Sequence, residues 1–265
     1  MSDVTCHVPT QSDNVDSVAA HPTISSPDDV RAIRRSRRRP AITQFDYLHL
    51  TALTAGLRSA IEELPRPIDD VLDVWCGSRP YDDLLPAGVR SIGLDVEGNP
   101  YGIADVVSND LLPFGDESFD LVMCVQSFHY MADPLHAVAE IARVLRPGGS
   151  ALVSSVLGYE YDRRHFEARY TEHELRVLFD AWEDVRVRED GGRVVSWTVL
   201  TGSLVHGLEQ RITANAAGRI LRPAFLASYT LVNAAGLALR GLDRSDGTSA
   251  LPMNLTLTAR KPALA

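Results

Sequence analysis

Two acids 22 residues apart, Asp73 and Asp95, are the residues whose type and spacing most clearly prepare chemistry in this chain. Each closes an apolar run, VLD at 71–73 and SIGLD at 91–95, and Cys76-Gly77-Ser78 follows the first. An apolar strand ending in an acid, a glycine turn and a second strand ending in an acid build a nucleoside pocket at the carboxyl edge of a parallel α/β sheet. The turn lets a ligand approach the backbone closely. A carboxylate at Asp95 can accept hydrogen bonds from the two hydroxyls of a ribose.

The turn reads Trp75-Cys76-Gly77-Ser78-Arg79-Pro80, with one glycine and with Asp82-Asp83 just beyond. A pyrophosphate site expects G-x-G-x-x-G, and acids are poor neighbours for a diphosphate. A nicotinamide-dependent oxidoreductase is therefore the weaker alternative. A ligand with a cationic or zwitterionic head fits better. S-adenosylmethionine is such a ligand: Asp73 can hold its α-amino group and Asp95 its ribose.

The elements that must position these acids alternate along the chain. Leu50, Leu53, Leu57, Ile61 and Leu64 recur at helical spacing within 45–64, and Pro65 and Pro67 end that helix. Strands are predicted at 68–74, 89–95, 102–107 and 119–125, the last nearly all apolar, as a strand covered on both faces should be. Asp133-Pro134 opens a helix over 134–145, and a fifth strand covers 150–156. Thr171 to Glu174 reads as a capping box opening a helix to about 180. Further strands are predicted at 182–190 and 254–261.

Residues 194–208 and 224–239 carry no charged side chain. They predict buried or partner-facing helices in an insertion of about 194–245, with peripheral membrane contact and a homodimer as further readings. Residues 1–40, ending in RAIRRSRRRP, read as a disordered, arginine-rich tail, and contact with an anionic surface is the alternative. The net charge of −9 argues against general nucleic-acid binding. Three separated cysteines and no secretory pattern make a reduced, cytoplasmic setting the expectation. No apolar run reaches the roughly 18–20 residues that span a bilayer. The scattered histidines and cysteines predict no metal site.

VLDVWCGSRPY, GLD, LLPFGDESFDLVMCVQSFHY and ADPLHAVAEIARVLRPGG together resemble class I S-adenosylmethionine-dependent methyltransferases of the type 11 kind, closely over about 69–156. That resemblance implies a doubly wound, Rossmann-like, mostly parallel sheet of seven strands, the last antiparallel, over 41–265. It places Asp73, Cys76, Gly77 and Ser78 under the methionine part and Asp95 on the ribose. Asn109 or Asp110 would meet the adenine amine, with Asp105 a weaker candidate, and Leu111 or Leu112 would cover the adenine face. Gln126 would line the methyl-donor pocket. Two departures stand out: Trp75 replaces the first glycine of the usual loop and Arg79 the last.

The implied reaction is methyl transfer to a small-molecule, glycan-type or lipid-linked acceptor, with an oxygen as the methylated atom. The alternative is a degenerate, non-catalytic scaffold of the same fold. Transfer from a sulfonium needs proximity and orientation, and a hydroxyl acceptor adds the need for a base. His129 is the candidate base, and a histidine packed at a helix start is the alternative reading. Tyr159, Tyr161, His165, Arg169 and Tyr170 fall where substrate loops lie in such folds. Cys76 and Cys124 read as small hydrophobes at strand ends.

Overall fold

The computed structural model describes residues 26–65, 67–108, 112–159, 167–215, 218–243 and 251–263. Seven strands form one sheet: β1 (Asp70–Val74), β2 (Arg90–Asp95), β3 (Val106–Val107), β4 (Phe119–Val125), β5 (Leu145–Val156), β6 (Glu183–Asp190) and β7 (Asn254–Arg260), in the order β3-β2-β1-β4-β5-β7-β6. Neighbouring strands from β3 to β5 are parallel, and β7 is antiparallel to both β5 and β6. The doubly wound, seven-stranded architecture expected from the sequence is the one observed, with the antiparallel strand second from the edge.

The period of two along each strand sorts side chains into two layers. Leu72 and Val74 of β1, with Val122 and Cys124 of β4, face a core that includes Ile141 of α3 (Pro134–Val144) and Leu175 of α4 (Glu172–Leu178). Val71, Leu121, Met123 and Leu152 point the other way, onto Leu53, Leu57 and Ile61 of α2 (Tyr47–Glu62). The capping box at Thr171 and Glu174 is present in both directions. At the amino edge, Arg146 bridges Asp120 and Asp70 at 2.7 Å each and so ties β5 to β4 and β1.

At the carboxyl edge β7 is locked by a buried polar cluster. Asn254 Nδ2 and Thr256 Oγ1 donate to Asp190 Oδ2 at 2.6 and 2.5 Å. Burial still raises the Asp190 carboxyl to about 6. Gly56 lets α2 approach here: a Cβ at that position would lie 1.8 Å from Asp190 Oδ1.

Three sequence expectations need correction. β3 is two residues long and does not cover 102–107. Gly102 is left-handed, and Asp105 turns its carboxylate onto the Gly93 N–H at 2.8 Å. β5 begins at Leu145, directly after α3. The third correction concerns the tail: residues 1–25 lie outside the described residues, but Pro27–Arg38 is a helix, α1. Ser26 caps it, Pro27 sits in its first turn with Asp28 and Asp29, and Arg35, Arg37 and Arg38 fill its last turn, which suits the helix dipole. Val30 is buried, and Arg34 and Arg38 pair with Asp82 and Asp83 at 3.3 and 2.5 Å.

Removal of residues 1–40 therefore takes away one buried valine and two partly exposed ion pairs, about 1–2 kcal/mol in all. The melting temperature should fall by roughly 2–6 °C. Removal of residues 1–25 alone serves as the reference in the same calorimetric scan, and equal melting of the two truncations would show that α1 adds nothing.

Candidate active site

The site begins where β1 runs out. Trp75, Gly77 and Arg79 all have left-handed backbones, with φ of 55°, 54° and 49°. Gly77 takes this conformation freely, whereas each L side chain costs roughly 1–2 kcal/mol there. Two sets of side-chain contacts hold the loop. Asp95 accepts hydrogen bonds from the Gly77 N–H at 2.6 Å, from the Val96 N–H at 2.7 Å and from the Asn99 amide. Arg79 pairs with Asp82 and Asp105 and donates to Ser91 Oγ at 3.1 Å. Gly93 makes room for this arginine, because a Cβ there would sit 2.8 Å from Arg79 Cδ.

Asp73 is buried on the α2 side of the sheet, and its carboxyl has no hydrogen-bond partner among the described residues. Burial, with the charges of Asp82 and Asp95 adding and Arg79 and Arg34 opposing, raises it to about 8. Asp73 and Asp95 thus lie within each other's electrostatic reach around one loop. Cys76 and Ser78 are buried in that loop, and burial pushes the Cys76 thiol well above its usual range. Trp75 packs against the α3-side core.

Beyond β4, Gln126 also has a left-handed backbone, φ 59°. Its amide reaches Ser154 Oγ at 3.0 Å and Asn254, so it joins the tips of β4, β5 and β7. His49 of α2 is a buried imidazole lowered to about 4 by desolvation, and its ring lies 5.8 Å from that of Tyr159. His129 is buried in the short 3₁₀ turn Phe128–Tyr130, with its ring 4.2 Å from that of Tyr130. Burial lowers it to about 4, with Glu167 and Arg169 as its charged neighbours. Its Nδ1 has no hydrogen-bond partner among the described residues.

Asn109, Asp110 and Leu111, and Tyr161 and His165 of the substrate loop, lie outside the described residues. Leu112 is buried in the α3-side core. Tyr170 packs there against Phe128, with ring centroids 5.4 Å apart, and Tyr159 lies 5.8 Å from the His49 ring. Asp105 holds the loop through Arg79 and the Gly93 N–H. Three parts of the site escaped sequence reasoning: Asn99 on Asp95, Asn254 on Gln126, and the Arg79–Gly93 fit. The only sequence signal for the last was glycine inside an apolar strand, a mark of close approach.

A cleft of about 470 Å³ lies away from the strand tips, between residues 43–46 and the helices after β6. It mixes Asp46 and Glu209 with Arg219 and Arg222.

Sheet order, loop and paired acids coincide with a family match. Residues 72–153 fit the family described as methyltransferase domain, the type 11 group. Residues 72–153 carry a methyltransferase domain of this group. It is 46% identical over 120 residues to 27-O-demethylrifamycin SV methyltransferase of Amycolatopsis mediterranei, which covers 36% of this chain and 43% of that protein. It is 32% identical over 125 residues to demethylmenaquinone methyltransferase of Renibacterium salmoninarum, covering 42% and 51%. The chain thus spans about half, or less, of the curated relatives it matches. Among solved structures, Haemonchus contortus phosphoethanolamine N-methyltransferase 2 in complex with S-adenosyl-L-methionine aligns at TM-score 0.45 and 14% identity, over 88% of this chain and 60% of that one.

The raised carboxyl of Asp73 makes stability depend on pH. In the unfolded chain it ionises near pH 4; in the fold it keeps its proton to about 8. Ionisation is thus disfavoured in the folded state, and stability falls as pH rises across that window. Asp73→Asn cannot ionise, so without cofactor its melting temperature should exceed that of the natural chain by a margin that grows from pH 4 to pH 8. A margin that does not change with pH would show an ionised Asp73 in the fold.

Proposed function

We propose that this protein transfers a methyl group from S-adenosylmethionine to an oxygen of a small-molecule or glycan-type acceptor. The observation that carries cofactor binding is Asp73: a buried carboxyl raised to about 8, with no hydrogen-bond partner among the described residues, beside a loop clamped by Asp95. The α-ammonium of the cofactor supplies the missing cation at Asp73. Asp95 takes the ribose hydroxyls, with Asn99 shifting to share it. Cys76, Gly77 and Ser78 cradle the methionine part, Asn109 or Asp110 meets the adenine amine, and Gln126 lines the methyl-donor side. The acceptor class is supported by the name of the Amycolatopsis relative, which acts on an O-demethyl small molecule.

The bound cofactor supplies an electrophilic methyl on a positive sulfur. The residues of this chain need only orient the acceptor and accept its proton. His129 is the candidate acceptor of that proton. Its imidazole is neutral above about pH 4, and its Nδ1 is unpartnered. A second reading rests on Trp75, whose bulk replaces the first loop glycine: a scaffold of this fold that no longer binds cofactor. It predicts no calorimetric signal with S-adenosylmethionine and recovery of binding in Trp75→Gly.

Two measurements test the leading reading. Asp95→Ala should weaken S-adenosylhomocysteine binding by about 1.5–3 kcal/mol, the value of a hydrogen bond to a charged group. Unchanged affinity by titration calorimetry would remove the ribose from Asp95. An ammonium next to Asp73 must also lower that carboxyl, so binding near pH 7 should release up to about one proton. Titrations in two buffers of different ionisation enthalpy read this directly. Asp73→Asn should release none.

A further inference from the structure

Between β6 and β7 the chain builds a helical hairpin, α5 (Arg193–Thr213) and α6 (Arg222–Leu239). On α5, Arg193, Trp197, Leu200, Leu204, Leu208 and Arg211 follow at steps of four, three, four, four and three, which is one helix face. That face is open: Trp197 is 59% and Leu204 76% exposed. On α6 no charged side chain occurs from Pro223 to Leu239, and Leu231 is 71% exposed. Ile220, in the connection, is 81% exposed.

The opposite faces are committed to protein. Val195 and Val199 pack on Leu48, and Asn233 Nδ2 donates to the carbonyls of Ile42 and Gln44 at 2.8 and 2.7 Å. By length and composition, Gly218–Leu242 is apolar enough to cross a membrane, which residue counting on the sequence did not register. Its buried stripe, Phe225, Tyr229, Asn233 and Gly236, holds it along the domain instead. Gly236 allows that closeness, because a Cβ there would lie 2.5 Å from both Leu48 Cδ1 and Thr198 Oγ1.

Charge selects what covers the outer face. From Arg193 to Asp243 stand five arginines and two acids, in a chain of net charge −9. Both acids are engaged within the hairpin: Glu209 accepts the Tyr229 hydroxyl at 2.5 Å and Asp243 the Val194 N–H at 2.7 Å. Arg211, Arg219, Arg222 and Arg240 form no ion pair among the described residues. A second copy, with α5 antiparallel to α5, would find no acid on this face to meet Arg211, because the one acid of α5, Glu209, accepts the Tyr229 hydroxyl. An anionic lipid surface meets the arginines with phosphate and the leucines with acyl chain.

We propose that the α5–α6 hairpin seats this protein on an anionic bilayer, both helices lying in the interface plane. The hairpin packs on Leu48, and the ring of His49 beside it lies 5.8 Å from that of Tyr159, just past the end of β5, so the carboxyl edge of the sheet is held next to the headgroups. This seating does not depend on the methyl-transfer reading.

The test is flotation of the full chain with phosphatidylglycerol–phosphatidylcholine vesicles and with phosphatidylcholine vesicles. The natural chain should float with the anionic vesicles, lose that binding in high salt, and show blue-shifted emission that Trp197→Phe abolishes. The double variant Leu204→Glu, Leu231→Glu should bind at least about tenfold less. Its melting temperature and S-adenosylhomocysteine affinity should be unchanged, which separates this proposal from the cofactor site. A natural chain that stays out of the anionic fraction overturns the proposal. So does vesicle binding that the double variant retains, or a natural dimer by light scattering that the variant renders monomeric.

Discussion

The carboxylate of Asp95 is the contact on which the rest of the site depends. It accepts from Gly77, Val96 and Asn99 at once and so fixes the loop after β1 to the end of β2. That loop needs fixing. Three of its five residues from Trp75 to Arg79 are left-handed, and two of those carry side chains that disfavour the conformation. Arg79 provides the second anchor, lying across Gly93 to reach Asp105 and Ser91. A loop with one glycine thereby takes a shape usually given by several, because contacts from neighbouring strands replace backbone freedom.

Two buried aspartates show how environment separates roles. Asp190 lies in the α2-facing layer with Thr256 and Asn254 donating to it, and it locks β7 into the sheet. Asp73 is as deeply buried but has no donor among the described residues, and two further acids act on it. A satisfied buried acid is structure; an unsatisfied one at a strand tip is a cost that a cationic ligand removes.

The hairpin after β6 follows a different logic. Its inner faces are specific, with Gly236 and Asn233 fitted closely to the domain. Its outer faces are apolar and basic without packing partners among the described residues. The inner faces add a separate small core, Val195 and Val199 with Leu48 and Met253, and the outer faces add apolar surface.

Much of this was legible in the residues. The strand Phe119–Val125 was legible to the residue from seven positions of which only Asp120 is polar, and the helix at Pro134 from its cap and proline, because both signals are local. The helix at Pro27–Arg38 had equally local signals in Ser26, Pro27 and two aspartates, but the arginine run obscured them. The short β3 was not legible, because Asp105 leaves strand geometry to reach an arginine 26 residues away. By itself, the order of apolar runs and turn residues determined the sheet, the loop and the identity of the two acids, since periodicity and turn chemistry act over a few residues. Only the tertiary structure decided that Asp95 clamps the loop, that Asp73 stands without a partner and that the leucines of α5 face outward. Those outcomes depend on which distant groups packing brings within a few ångströms, and no local pattern encodes them.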